Sequence, residues 1–251
     1  MQQRTRDTAE LVIAYAIILL AIWTPRPAQF VFYWTGFAWI IGSTLLAYPG
    51  RRALGLGVSG LGRSMWVVVL ALFLSAAAIG IAEARHTFHP LYGVVPVGWH
   101  LTGYLVWALL QQFILQDYFL ARLLRLLPNP TGAVFAAAGL FALAHLPNPV
   151  LTVATLVFGT AACFVFLRYR NLYTLGLAHF ILGMTIAVTV SNAAHHHMRV
   201  GLGYLRYRAH HGSAQPQSPY GVDRGVRDGG GGHAPILPPS PAVEPSRNGR
   251  K

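Results

Sequence analysis

The sequence predicts an all-α, polytopic membrane helix bundle of about seven transmembrane helices. Three observations carry that prediction. Of the 251 residues, 54% are hydrophobic and 10% charged, about half the charged share of an ordinary globular chain. Apolar runs of spanning length recur along the first four-fifths of the chain. Arginine clusters in alternate stretches between those runs, as the positive-inside rule requires.

The first run, 9–25, follows Arg4 and Arg6. It has no small-residue cleavage site and ends on Trp23-Thr24-Pro25-Arg26, an interfacial signature. It therefore reads as a retained span, not a cleaved signal. Six further runs follow at 29–48, 64–82, 99–120, 131–147, 150–168 and 171–193. Each approaches the roughly 20 residues a helix needs to cross the hydrocarbon. With the N-terminus inside, the inner loops hold nine arginines: 4, 6, 51, 52, 63, 122, 125, 168 and 170. The outer loops hold Arg26 and Arg85 alone. Seven spans would leave the Arg-bearing tail outside, so the count admits a re-entrant segment or an eighth short one near 198–207.

The net charge of +12 does not point to nucleic acid, because eight of the nineteen basic residues lie after Ala194 in a polar tail. A nucleic-acid surface needs a folded basic face with groove-entering or aromatic elements, and none is visible. The expected partners are the lipid bilayer and a membrane-associated protein or peptide. Every basic residue but Lys251 is arginine, a composition that suggests a GC-rich bacterial genome, so with the apolar spans the expected location is the bacterial cytoplasmic membrane. The single cysteine, Cys163, lies in an apolar run and permits no disulfide framework. From about Val200 the pattern collapses into GSAQPQSPYG, DGGGGH and LPPSPAVEP, which bury too little apolar surface to offset chain ordering. The tail 199–251 is expected to be disordered.

Polar residues interrupt the fourth run. Residues 111–122 read QQFILQDYFLAR. On a uniform helix His100, Tyr104, Trp107, Gln111, Tyr118 and Arg122 form one stripe, and Gln112 and Gln116 stack on an adjoining line. Amides between spans can serve packing alone, at about 1–2 kcal/mol or less each. His145 ends GLFALAH before Pro147-Asn148-Pro149, and His179 lies inside LYTLGLAHFILGMTIAV. Intramembrane ionisable residues are candidates for a site facing the bundle interior. Glu83, His86 and His89 share a helical face at a span's edge, a pattern that suits a metal or an alternative acid–base pair as well as an interface.

This order resembles the CPBP family: CAAX prenyl proteases, bacteriocin-processing and Abi-type proteins. Gln111-Gln112-Phe113-Ile114-Leu115-Gln116 stands where the family carries Glu-Glu-x-x-x-Arg, and Tyr118-Phe119-Leu120-Ala121-Arg122-Leu123 is similar to its continuation. Phe141-Ala142-Leu143-Ala144-His145 matches Phe-x-x-x-His. The third motif, His-x-x-x-Asn, matches at His179, with Gly183 in the asparagine's place. The resemblance divides the chain into N-terminal transmembrane helices (1–94), a CAAX-protease-like core (95–198) and the tail (199–251). It implies an intramembrane endopeptidase acting on or binding membrane-associated or lipidated peptides. His145, His179, Gln111 and Gln112 would occupy the catalytic positions, with Gln116, Tyr118 and Gly183 in the substrate pocket. The family also carries a zinc label, but two histidines with amides make a poor zinc site, so no cofactor is expected.

The departures bear on chemistry. Glutamine cannot take a proton from water, and losing a general base costs about 10²–10⁴-fold. A missing oxyanion donor costs roughly 10²–10³ more. Replacing acids and arginine together keeps the pocket neutral, since a lone buried arginine would be left unpaired. The alternative to an endopeptidase is thus a silent relative that binds a peptide, a lipid or a partner protein.

Overall fold

The computed structural model describes residues 2–47, 50–58, 60–89 and 97–207. All fall within the compact unit Met1–Pro219; the second unit, Tyr220–Lys251, lies outside the described residues. Seven helical rods dominate: α1 (Gln2–Trp23), α2 (Ala28–Leu46), α3 (Leu61–Ala84), a composite fourth, α6 (Pro130–Leu143), α7 (Pro149–Tyr169) and α8 (Leu172–Thr189). The fourth rod runs without a break through α4 (Val97–Phe113), a π-helical segment (Ile114–Leu120) and α5 (Ala121–Leu126). Two short helices follow, α9 (Asn192–His195) and α10 (Gly201–Leu205). Among the described residues there is no strand.

The chain is an all-α membrane helix bundle. Helices α3, α7 and α8 are long and apolar enough to cross a membrane, and α6 is a shorter apolar helix. Large apolar side chains point outward, with Trp34 70% and Phe73 68% exposed. In water such a surface would be a liability; in lipid it is the expected exterior.

Asparagine starts three of the rods. Asn129 accepts from the Thr131 amide, Asn148 from Leu151 and Asn171 from Thr174. The first two precede a proline at the first helical position, where a missing N–H costs nothing. Small residues then let rods approach. Ser64 bonds Thr174 at 3.0 Å and Thr185 donates to Ser75 at 2.6 Å, joining α3 to α8 at two levels. Interhelical hydroxyl pairs between small residues are the usual adhesive where apolar burial gives no preference for protein over lipid.

An ionic lock ties α1 to α5. Arg125 bonds Asp7 at 2.7 Å, Arg122 bonds Glu10 at 2.6 Å, and Arg4 donates to the Leu126 carbonyl at 2.9 Å. Beside Arg125, the Asp7 carboxyl is held below the usual aspartate value, although burial opposes the shift. Arg122 and Arg125, read from sequence as loop charges, are therefore paired within the fold, and Arg122 is buried.

The stretch expected to be disordered from 199 carries α10, whose Gly201 amide donates to the Leu146 carbonyl at 2.8 Å. Leu202 and Tyr204 are half-buried in this single turn, whereas Leu205 stays exposed. Residues 208–251 lie outside the described residues, as does the His100 side chain.

Candidate functional site

The π segment decides where the polar residues of the fourth rod point. The seven residues Ile114–Leu120 are wound wider than an α-helix, and π turns of this kind occur often at functional sites. The uniform stripe drawn from sequence does not survive it. Gln111 and Trp107 line a cavity, whereas Tyr118 and Arg122, further along, turn into the junction with α1 and α2.

That cavity lies among α1, α2, the fourth rod and α6, and has about 1040 Å³ free of atoms, counting its open mouth. Its walls are apolar, among them Ile17, Phe32, Phe37 and Leu140, and Val200 closes it from the C-terminal side. It carries no charged side chain; Gln111 and His145 are its amide and its imidazole. His145 Nδ1 lies 2.7 Å from the Phe141 carbonyl, which can only accept, so Nδ1 holds the proton. The lone pair is therefore on Nε2. The sequence GLFALAH sets this up, because Phe141 and His145 are one turn apart.

A second polar group lies beside the first. Gln116 Nε2 donates to Gln112 Oε1 at 3.2 Å, and Gln112 Nε2 lies 3.2 Å from His179 Nδ1. With the Gln112 oxygen engaged, its amide N–H donates to His179, which must carry its own proton on Nε2. A carboxylate at position 112 would require the opposite tautomer. The Phe141 ring spans the two groups, with centroids 4.9 Å from His145 and 6.0 Å from His179. His145 and His179 are buried, at 9% and 8% exposure, as are Gln112 and Gln116. The Gln116 Oε1 atom has no partner.

The structure thus joins Gln111 to His145 through the cavity, and Gln112 to His179 and Gln116 through hydrogen bonds. Gln112, His179, Gln116, Tyr118 and Gly183 do not line the cavity. Tyr118 donates to the Glu10 carbonyl at 2.9 Å, accepts from Trp39 and lies under Arg122, whose guanidinium is 3.6 Å from its ring. Its role is to join α1, α2 and the fourth rod. Gly183 is a notch: a Cβ there would overlap the Tyr104 hydroxyl and stand 2.9 Å from its Cζ. Tyr104, which sequence reasoning placed in a stripe and gave no role, fills the position where the related motif has an asparagine side chain. Nothing in the sequence marks that pairing, because it is a contact between two rods.

Zinc does not fit these residues. It favours thiolate, imidazole and carboxylate, whereas three positions here are neutral amides, and His179, which accepts on Nδ1 and is protonated on Nε2, leaves His145 Nε2 as the one imidazole lone pair of the pair. Among the described residues no three His, Cys, Asp or Glu side chains gather as a metal would need. Glu83, His86 and His89 form no such group, and His89 Nδ1 donates to the Thr87 carbonyl.

The helical bundle thus carries a buried amide–imidazole seam beside an apolar cavity. Residues 93–185 match the family described as Type II CAAX prenyl endopeptidase Rce1-like, consistent with the CPBP family. The match spans less than half of the chain and includes all three motifs. No curated protein and no solved structure matches the chain.

Proposed function

We propose that this chain is a multi-pass protein of a bacterial cytoplasmic membrane that binds a membrane-associated or lipidated peptide in the cavity beside His145 and does not hydrolyse it. The observation that carries this reading is the chain Gln116–Gln112–His179. In peptide hydrolysis a base must take a proton from water. The groups at that place are amides, and two of them, Gln116 and Gln112, are joined to each other and to the His179 imidazole. His145 Nε2 keeps a lone pair, but among the described residues no carboxylate hydrogen-bonds to either histidine. Gly183 supplies no side-chain donor for a developing oxyanion.

The cavity suits a ligand with an apolar body. Its walls carry no charge, so a free carboxylate or phosphate placed inside would be left unpaired, which is costly. A lipid chain or apolar peptide face would lie against Phe32, Phe37 and Leu140, with a polar amide near Gln111 and His145. We further propose that all seven rods cross the bilayer, with the Arg-rich end of the bundle in the cytoplasm. Binding is tested with a photoactivatable lipidated peptide in proteoliposomes. Crosslinks to α2 and α6 that Phe37→Trp weakens support the reading; crosslinks elsewhere, unaffected by Phe37→Trp, contradict it.

A further inference from the structure

At the end of α1 opposite the ionic lock, a strap of residues 190–200 crosses from α8 to the cavity. Its last residue, Val200, lines that cavity together with Ala144 and His145. The strap is pinned to the loop that follows His145. Asn148 Nδ2 donates to the His195 carbonyl and to the Arg199 carbonyl, both at 2.9 Å. Gly201, at φ 53°, packs so closely on Ile22 that a Cβ would meet the Ile22 carbonyl oxygen at 2.6 Å. Between the pins the backbone is unfavourable: His196, His197 and Met198 are successive left-handed residues, at φ 47°, 52° and 60°. For residues with a Cβ this conformation is unfavourable, so something must hold the strap shut.

The His195 ring does so from inside. It is buried, its Nε2 donates to the Val190 carbonyl at 2.8 Å, and its Nδ1 accepts the Met198 amide at 3.1 Å. Both bonds exist only in the neutral ring with the proton on Nε2. A second proton on Nδ1 would confront the Met198 N–H with another donor. The surroundings add to the penalty: His89 stacks at 6.5 Å, and His196, His197 and Arg199 stand nearby on the strap. Helix α7 places no ionisable side chain in its first turns beside α9, and Tyr204 of α10 and Tyr207 just beyond it stack against His196. No carboxylate is among these neighbours.

We propose that the strap is a proton-operated gate over the cavity, closed while His195 is neutral and released when it is protonated. Burial holds His195 below the ordinary histidine value, opposed by its bond to Val190 and reinforced by His89 and His196. For a lowered value the sign is fixed: closure is fully favoured above about pH 6.5 and is lost as pH falls through the lower value. The gate stands on the strap's own contacts, whether or not the bound ligand is cleaved.

Thiol accessibility tests it. Cys163 is fully buried, so the unaltered protein gives the blank. The labelling rate of Val200→Cys by a bulky maleimide is divided by that of Arg206→Cys, at the exposed residue that follows α10, in parallel detergent samples at pH 7.5 and 5.5. The division cancels the thiol's own titration. The ratio is expected to rise on acidification, by at most about tenfold per pH unit for one proton. With His195→Gln added, the ratio should be flat. Asn148→Ala, which unpins the strap without touching the ring, should give a high ratio at both pH values. A ratio of the original pair that does not change with pH overturns the gate. So does a rise that persists undiminished in the His195→Gln protein.

Discussion

Filling the Gly183 notch is the perturbation that most sharply separates motif from packing. Restoring asparagine there looks, from the motif alone, like repair. In the structure the new Cβ would overlap the Tyr104 hydroxyl and lie 2.9 Å and 3.2 Å from Cζ and Cε1. Carbon contacts are comfortable at about 3.5–4.0 Å, so the ring must move by more than half an ångström, before the amide itself is accommodated. Forcing atoms into a packed interface costs about 1–3 kcal/mol, and Gly183→Asn is expected to fall in that range. Tyr104→Ala vacates the space. In the double variant the two losses should therefore sum to less than their separate values, with a coupling of roughly 0.5–3 kcal/mol. The assay is equilibrium unfolding of the purified proteins in detergent micelles as a double-mutant cycle. Additive losses, or a Gly183→Asn protein as stable as the parent, would refute the notch.

Three further outcomes follow from the same contacts. Arg122→Met leaves the Glu10 carboxylate with Arg6 as its remaining ion-pair partner, so the loss should fall short of the about 3–5 kcal/mol of a buried charge left wholly unpaired; adding Glu10→Gln should recover much of it in the same unfolding assay. Because the Asp7 value is lowered by Arg125, its contribution is fully present above the ordinary aspartate value near 3.9 and lost as pH falls below it. A stability profile should accordingly lose part of its acid limb in Asp7→Asn, and identical limbs would count against the lock. Asn148→Ala removes both the cap of α7 and the two strap bonds, so its cost should exceed that of Asn129→Ala, which removes a cap worth about 1 kcal/mol.

Much of the fold is legible in the sequence because lipid imposes simple conditions. Backbone groups in hydrocarbon must be satisfied internally, so apolar runs of spanning length become rods, and all seven runs correspond to helices here. Rod ends are marked by Asn129-Pro130, Asn148-Pro149 and Asn171, which act as caps. The motif positions are equally visible, since Phe141 and His145 sit one helical turn apart. What the sequence hides is register and contact between rods. A uniform period carries Gln111, Tyr118 and Arg122 on one face; the π segment turns them apart, and no composition signal announces it. The Asp7–Arg125 and Glu10–Arg122 pairs join residues more than 100 positions apart, and so does His195 with its surroundings at His89. Nor does the run His195-His196-His197 show in sequence that hydrogen bonds within the strap bury its first member.

Cleavage of a lipidated membrane peptide by the purified protein tests the silent pocket most directly. The parent protein and the Gln111→Glu/Gln112→Glu pair are both expected to show no hydrolysis above background, because Gln116 offers no positive partner and Tyr104 fills the motif-three position. Activity dependent on His145 has its best chance when Gln116→Arg, Gly183→Asn and Tyr104→Ala are added to that pair. Turnover by the unaltered protein that His145→Ala abolishes would contradict the account.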